Sequence, residues 1–377
     1  MPPLTARSPI VATIDLAALV HNLNQVRKLL AQPIDIIAVV KADAYGHGAV
    51  PVARALCQAG VQRLGVATIE EGLALRQAGL NAPILVLGAV LQDQLEESAA
   101  NKLTPVLHDR ESLRQIAAWA ERRHVRMAVH VKIDTGMGRL GFRLEDLQAV
   151  ADDPAWKGPL QLEGVMGHLA DADGGNPAFT HAQLRKFQQG VGAIKARGIE
   201  APLVHIANSA AIIRFPASHG TAVRPGIMLY GYHTLPARVS APDLKPVLSL
   251  TVPIVHIHEI KKGESVSYNR TFVAKRRSRI AVLPLGYADG YNRALSNRGS
   301  VLIGGTRAPV VGRVCMDMTM VDVTNSPQAV PGVEATVIGR QGKLEITAAD
   351  IAAWQRTIPY EVLCGLGPRV RRVYREG

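Results

Sequence analysis

The lysine most suggestive of chemistry is Lys41, in the segment Val39-Val40-Lys41-Ala42-Asp43-Ala44-Tyr45-Gly46-His47-Gly48. It follows an apolar run that reads as a strand. A lone lysine at such a place is usually a solvated cation. Here Tyr45 offers a hydroxyl one turn on, and Gly46 and Gly48 let the backbone approach a ligand closely. An ammonium stripped of part of its water gives up its proton, and the neutral amine forms a Schiff base with an aldehyde. A second group, Lys132 and Arg139, brackets Ile133-Asp134-Thr135-Gly136-Met137-Gly138. Gly136 to Gly141 also fits GxGxxG, the phosphate loop of dinucleotide enzymes. That reading fails: helical character resumes only near Leu144, a bulky arginine stands where a phosphate would approach, and the acidic residue expected about 20 positions on is badly placed. With no GxxxxGK[ST] and no HExxH, nucleotide hydrolysis and zinc proteolysis have no support either.

These residues need a frame. From about Ile34 to Tyr230, eight β-type runs alternate with helical periodicity: Ile34–Val40, Arg63–Ala67, Ile84–Gly88, Leu103–Leu107, Met127–Ile133, Leu162–His168, Leu203–Ala207 and Ala222–Leu229. Helices are expected at Glu70–Ala78, Glu111–Arg123 and Ala178–Ala196. Eight parallel strands over about 200 residues suit a closed (β/α)8 barrel better than a doubly wound sheet. Lys41 then lies at the strand end where barrel enzymes build their sites. Beyond about Ser240 the texture turns to short β-rich stretches: Val247–Ile260, Ser265–Val273, Arg279–Leu285, Ser300–Ile303, Val310–Cys315 and Met318–Val323, with a helical patch at Ala348–Thr357. This predicts an α/β barrel over 1–240 and a mainly antiparallel β domain over 241–377, with Ala237–Pro246 as the boundary.

The barrel also points to a phosphate subsite, since loops after strands seven and eight commonly bind one. Ser209 follows strand seven and can cap a helix opening Ala210-Ala211-Ile212. Gly226 and Ile227 could present backbone N–H groups from the eighth strand.

Composition sets outer bounds. A chain of 377 residues, 47% hydrophobic, can bury two cores. No apolar run nears the roughly 20 residues of a membrane helix. Met1 to Pro9 lacks the features of a secretory signal, so a cytoplasmic location is the expectation. Cys57, Cys315 and Cys364 form no CxxC pair and read as packed, reduced thiols. The net charge of +12 is scattered, with short runs such as Lys275-Arg276-Arg277, so no nucleic-acid partner is expected. It would help gather an anionic substrate or cofactor.

The Lys41 segment resembles the cofactor-lysine motif of the alanine racemases, barrel-fold enzymes of pyridoxal 5'-phosphate. The similarity continues in order through His130 to Gly141, Gly164-Val165-Met166-Gly167-His168, Asn208-Ser209-Ala210-Ala211, Arg224-Pro225-Gly226-Ile227, Ser267-Tyr268, Gly286-Tyr287-Ala288-Asp289-Gly290, Gly312 to Asp317 and Pro359-Tyr360-Glu361. It spans both expected domains. The resemblance implies racemisation of alanine, with D-alanine serving cell-wall peptidoglycan, in a homodimer with shared sites. It makes Lys41 the cofactor's attachment point and one base, and Tyr268, from the partner subunit, the base on the opposite face. It implies Tyr45, Ser209, Gly226, Ile227 and Tyr360 at the cofactor's phosphate, Arg224 at its ring nitrogen, and His168 beside the ring. His205 would hold Arg224. Arg139 and Met316 would meet the substrate carboxylate, Lys132 would be carbamylated to hold Arg139, and Tyr287 and Tyr360 would narrow the entrance. Two rivals share parts of the pattern. A broad-specificity racemase has the motifs with a wider pocket, and a non-catalytic pyridoxal-phosphate binder has only the barrel.

Overall fold

The computed structural model describes residues 8–236 and 238–376. Met1–Arg7, Ala237 and Gly377 lie outside the described residues, and so do most of the Met1–Pro9 leader reading and the first residue of the expected boundary. The chain forms two compact units. One comprises Leu19–Ala44 and Ala49–Lys245; the other takes Pro246 onward, the chain up to Ala18, and the turn Tyr45–Gly48.

The first unit is the barrel. Its strands are Asp35–Val39, Arg63–Val66, Ile84–Val86, the pair Leu103–Thr104 and Val106–Leu107, Met127–Lys132, Leu160–Met166, Leu203–His205 and Ala222–Val223. Neighbours pair in parallel, and Ala222 opposite Asp35 closes the ring. Pro105 has no N–H to donate and splits the fourth strand, but its carbonyl accepts from His130 N–H at 3.0 Å and keeps the ring continuous. Backbone bonds from Thr221 N–H to Val204 O and from Arg224 N–H to Ala207 O join the seventh and eighth strands. Ile37, Leu85, Val106, Met166, Leu203 and Ala222 form a buried cluster contributed by six of these strands. The eighth strand is far shorter than the expected Ala222–Leu229. Pro225 ends it, and Ile227–Tyr230 winds into a 3-10 turn. Helices Ile69–Gln77, Arg110–Arg122 and Ala178–Lys195 each lie within a residue of expectation. At the second of these, Asp109 accepts Ser112 N–H while the Ser112 hydroxyl returns a bond, a reciprocal cap that marks the start.

The second unit is built on a seven-stranded sheet ordered Thr306–Pro309, Ser300–Ile303, Glu334–Gln341, Leu248–Pro253, Val11–Asp15, Arg371–Arg375, with Leu344–Ile346 also pairing Glu334–Gln341. A three-stranded sheet of His256–Ile260, Ser278–Leu283 and Thr319–Asp322 and the hairpin Ser265–Val266/Phe272–Val273 complete its strands. All of its pairings are antiparallel except Val11–Asp15 with Arg371–Arg375. Several expectations need correction. Val247–Ile260 is two strands in different sheets. Ser265–Val273 folds back on itself, with Tyr268–Arg270 at the tip. Val310–Cys315 keeps only one bridge, Val310 to Val321. The N-terminal strand belongs to this unit and not to the barrel, because its hydrogen-bond partners are Leu248–Pro253 and Arg371–Arg375. Cys57 and Cys315 are part-buried, but Cys364 is exposed, unlike the packed thiol expected.

Candidate active site

Lys41 opens the helical turn Lys41–Gly46 directly after the first barrel strand. Ala42, Asp43, Ala44 and Tyr45 all have φ between 52° and 54°, so the turn is wound left-handed. L-residues resist this by roughly 1–2 kcal/mol each. Two carboxylates hold it. Glu71 accepts N–H from Ala42 and Ala67, both at 2.7 Å, and Asp43 Oδ1 accepts Ala49 N–H at 2.7 Å. Sequence reading gave neither residue a role, since a carboxylate in a helix ordinarily faces water.

Lys132 ends the fifth strand and is buried. The loop after it is built around Asp134, whose carboxylate accepts N–H from Gly136, Met137 and Gly138 at 2.9 to 3.1 Å. Phe142 closes the loop by donating to Lys132 O at 2.8 Å and accepting from Asp134 N–H at 2.9 Å. Gly141 is obligatory here: at φ 133° an added Cβ would sit 2.5 Å from Asp134 N. The glycines therefore shape the loop carrying Arg139 and do not cradle a dinucleotide. Burial, reinforced by Arg139, Arg224 and Lys41, pushes the Lys132 amine down to about 8.

Arg224 lies just past the eighth strand and is buried. Its Nη1 donates to His205 Nδ1 at 2.5 Å and to His205 O at 2.8 Å; Nη2 donates to Gly167 O at 2.6 Å and stands 3.4 Å from His168 Nδ1. Burial lowers its guanidinium to about 10, so it remains charged at neutral pH. His168 is pushed down to about 3 by burial and by Arg224, Arg139, Lys132 and Lys41, and is neutral. Four cations and a neutral imidazole thus converge at the C-terminal end of the barrel strands.

Ser209 does not cap its helix. Asn208 does, accepting Ala211 N–H at 3.0 Å. The Ser209 hydroxyl instead accepts N–H from Gly226 at 2.9 Å and from Met228 at 3.4 Å, on either side of Ile227. Ser209, Gly226 and Ile227 are therefore brought together, but by a different bond from the one the sequence suggested.

The remaining expected residues lie in the second unit. Tyr268 is 68% exposed and sits between Ser267 at φ 67° and Asn269 at φ 58°. The Ser267 hydroxyl donates to Arg313 O at 2.7 Å, Tyr287 N–H to Cys315 O at 3.0 Å, and Ala288 N–H to Met316 O at 3.0 Å. Tyr268, Tyr287 and Met316 are thereby presented from one cross-tied group of loops. Arg369 braces it, donating to Asp289 and Asp317, both at 2.8 Å. The rings of Tyr45 and Tyr360 stand 5.8 Å apart.

Comparison with known proteins agrees with both units. Residues 14–234 match the family described as alanine racemase, N-terminal domain, and residues 247–374 match alanine racemase, C-terminal domain. The chain is 45% identical to the alanine racemase of Halothermothrix orenii over 97% of each. It is similar in structure to the alanine racemase of Clostridium difficile 630, with a TM-score of 0.92, 38% identity, and coverage of 98% of this chain and 97% of that one. It also resembles the alanine racemase of Bartonella henselae determined with covalently bound pyridoxal phosphate, with a TM-score of 0.88, 30% identity, and coverage of 97% and 99%. The chain belongs to the alanine racemase family.

Proposed function

We propose that this protein interconverts L- and D-alanine using pyridoxal 5'-phosphate attached to Lys41, and supplies or consumes D-alanine for peptidoglycan. When bound, the cofactor supplies an electron sink that acidifies the substrate's Cα–H. The residues present suit such a group. Lys41, Arg139 and Arg224 give a cationic surround for an anionic cofactor and substrate. A buried arginine with its own partners already fixed suits an aromatic nitrogen that has only a lone pair to offer.

Arg224 carries the reading. A guanidinium donates and does not release its proton, so Arg224 would leave a ring nitrogen held against it unprotonated and would weaken the sink. That favours simple return of the proton over side reactions. Lys41 takes or returns a proton on one face of Cα, and Tyr268 of the partner subunit does so on the other, as inversion through a planar carbon requires. The exposure of Tyr268 and its strained seat support a role directed outward, at a second copy. Arg139 and the Met316 backbone N–H bind the substrate carboxylate. Ser209, Gly226, Ile227, Tyr45 and Tyr360 hold the phosphate, and His168 flanks the ring. Tyr287 and Tyr360 restrict the entrance to a small side chain. Lys132, as its carbamate, becomes an acceptor for Arg139 in place of a repelling cation. Among the described residues no helix is long and apolar enough to cross a membrane, and we place the enzyme in the cytoplasm.

Borohydride reduction of the purified protein followed by peptide mapping should find the cofactor on Lys41, and the protein should racemise both alanine enantiomers. An adduct on another lysine, or no alanine turnover, would overturn the proposal. Serine is to be assayed alongside, because a rate equal to that of alanine would favour the broad-specificity reading.

A further inference from the structure

Behind Arg224, a line of polar side chains crosses the barrel interior that the proposed reaction does not use. Arg224 Nη1 lies 2.5 Å from His205 Nδ1, and His205 Nε2 lies 2.9 Å from His130 Nδ1. His130 Nε2 faces Glu163 Oε2 at 3.6 Å. Glu163 is also met by Thr104 Oγ1 at 3.1 Å and by Arg63 Nη1 at 2.5 Å, and Arg63 Nε reaches Asp35 Oδ2 at 3.2 Å. The line starts past the ends of the strands and finishes at Asp35 and Arg63, the first residues of the first two strands. Both histidines are fully buried, whereas the Glu163 side chain is 21% exposed, beside a small cavity lined in part by Arg63, Thr104 and His130. Burial lowers both imidazoles, His205 well below its usual range, so both rings are neutral.

The geometry fixes every proton along this line. A guanidinium only donates, so His205 Nδ1 must accept. A neutral ring carries one N–H, so that of His205 is on Nε2 and points at His130 Nδ1. The His130 proton is then on Nε2, aimed at the Glu163 carboxylate. Any other placement sets two N–H groups, or two lone pairs, against each other. A carboxylate at the end of such a series polarises each imidazole and makes it a better acceptor for the next donor.

We propose that Glu163 is a positioning residue for the reaction: through His130 and His205 it fixes which face of His205 accepts, and so sets Arg224 at the cofactor's ring nitrogen. Only the last link rests on the function proposed above. Glu163→Gln separates the possibilities, because an amide has one oxygen where the carboxylate had two. Arg63 claims that oxygen, and the amide NH2 is left facing His130, which must then accept at Nε2. The inversion passes to His205 and puts an N–H against Arg224.

Ring ¹⁵N spectra of histidine-labelled holoenzyme read this directly. In the parent protein His130 and His205 should both carry the proton on Nε2; a proton on His205 Nδ1 overturns the relay whatever any variant does. In folded Glu163→Gln both tautomers should invert, and the added change Arg63→Met, which frees the amide oxygen for His130, should restore them. Racemisation by Glu163→Gln should fall roughly tenfold, with KM for alanine unchanged and a larger share of turnovers lost to transamination. Parental tautomers in Glu163→Gln overturn the relay. Inverted tautomers with unchanged rate and partition overturn its link to the reaction. Failure of the parent protein to racemise alanine would sink the functional reading and that link, while the tautomer result would still decide the relay.

Discussion

Lys132 is an amine with cations for company. Burial and Arg139, Arg224 and Lys41 lower it to about 8, which leaves an appreciable neutral fraction near neutral pH. A neutral amine adds to carbon dioxide, its nitrogen bonding to the carbon and losing one proton, and the product reverses the sign of the charge beside Arg139. The peptide containing Lys132 should therefore be heavier by one carbon dioxide under native conditions, less so as pH falls and the amine is protonated. Lys132→Met should lower kcat/KM for alanine by about 10- to 100-fold, as loss of an outer partner does elsewhere. An unmodified ammonium throughout would refute the carbamate. Lys41 stood out in the sequence through its own neighbours, whereas Arg224, Arg139 and Tyr268 were expected only through the family resemblance. The residues that hold them were not legible. Glu71, Asp43 and Glu163 bind backbone N–H groups or side chains far off in sequence, and nothing local distinguishes such a carboxylate from a solvated one. The cap expected of Ser209 is taken by Asn208, one residue earlier and an equally good capping type.

At the level of elements, the regular pieces were readable and the irregular ones were not. Helical periodicity locates Arg110–Arg122 to within a residue. Arg371–Arg375 escaped because an edge strand carries charge to discourage further pairing, and so looks like surface. The left-handed turn after Lys41 has no signature, as its residues are those of an ordinary helix. It does reverse a familiar rule. Ala118→Gly, inside a regular helix, should cost about 0.5–1 kcal/mol. Ala42→Gly, at φ 52° and exposed, should cost nothing or stabilise, because glycine escapes the left-handed penalty. Denaturant midpoints of the two variants test this; equal losses would argue against strain in the turn.

For the whole molecule, two predictions follow from shared sites and from buried imidazoles. If Lys41 of one subunit works with Tyr268 of the other, Lys41→Ala and Tyr268→Ala are each inactive alone. Mixing them with subunit exchange rebuilds one intact site per mixed dimer, and activity returns. No recovery in verified mixed dimers would place both bases in one chain. Acid stability is the second. His168, His130 and His205 bind protons in the unfolded chain near 6.5 but in the folded one only lower, at about 3 for His168. All three contributions are full above pH 6.5 and fall as pH drops; that of His168 is lost between 6.5 and about 3, by up to about 1.4 kcal/mol per pH unit. Glu163, at about 2 against 4.5, adds a loss only below 4.5. Urea midpoints of the apoprotein should therefore begin to drop below pH 6.5, and His168→Gln should shallow that slope. An unchanged slope would count against a buried neutral His168.

The strand Val11–Asp15 is synthesised roughly 350 residues ahead of one of its partners, Arg371–Arg375. At roughly 5–20 residues per second, it waits tens of seconds with both edges bare while the barrel is completed behind it. A nascent or truncated chain that stops before Arg371 thus displays an unpaired β edge on Val11–Asp15, a handle for chaperones and a hazard for aggregation.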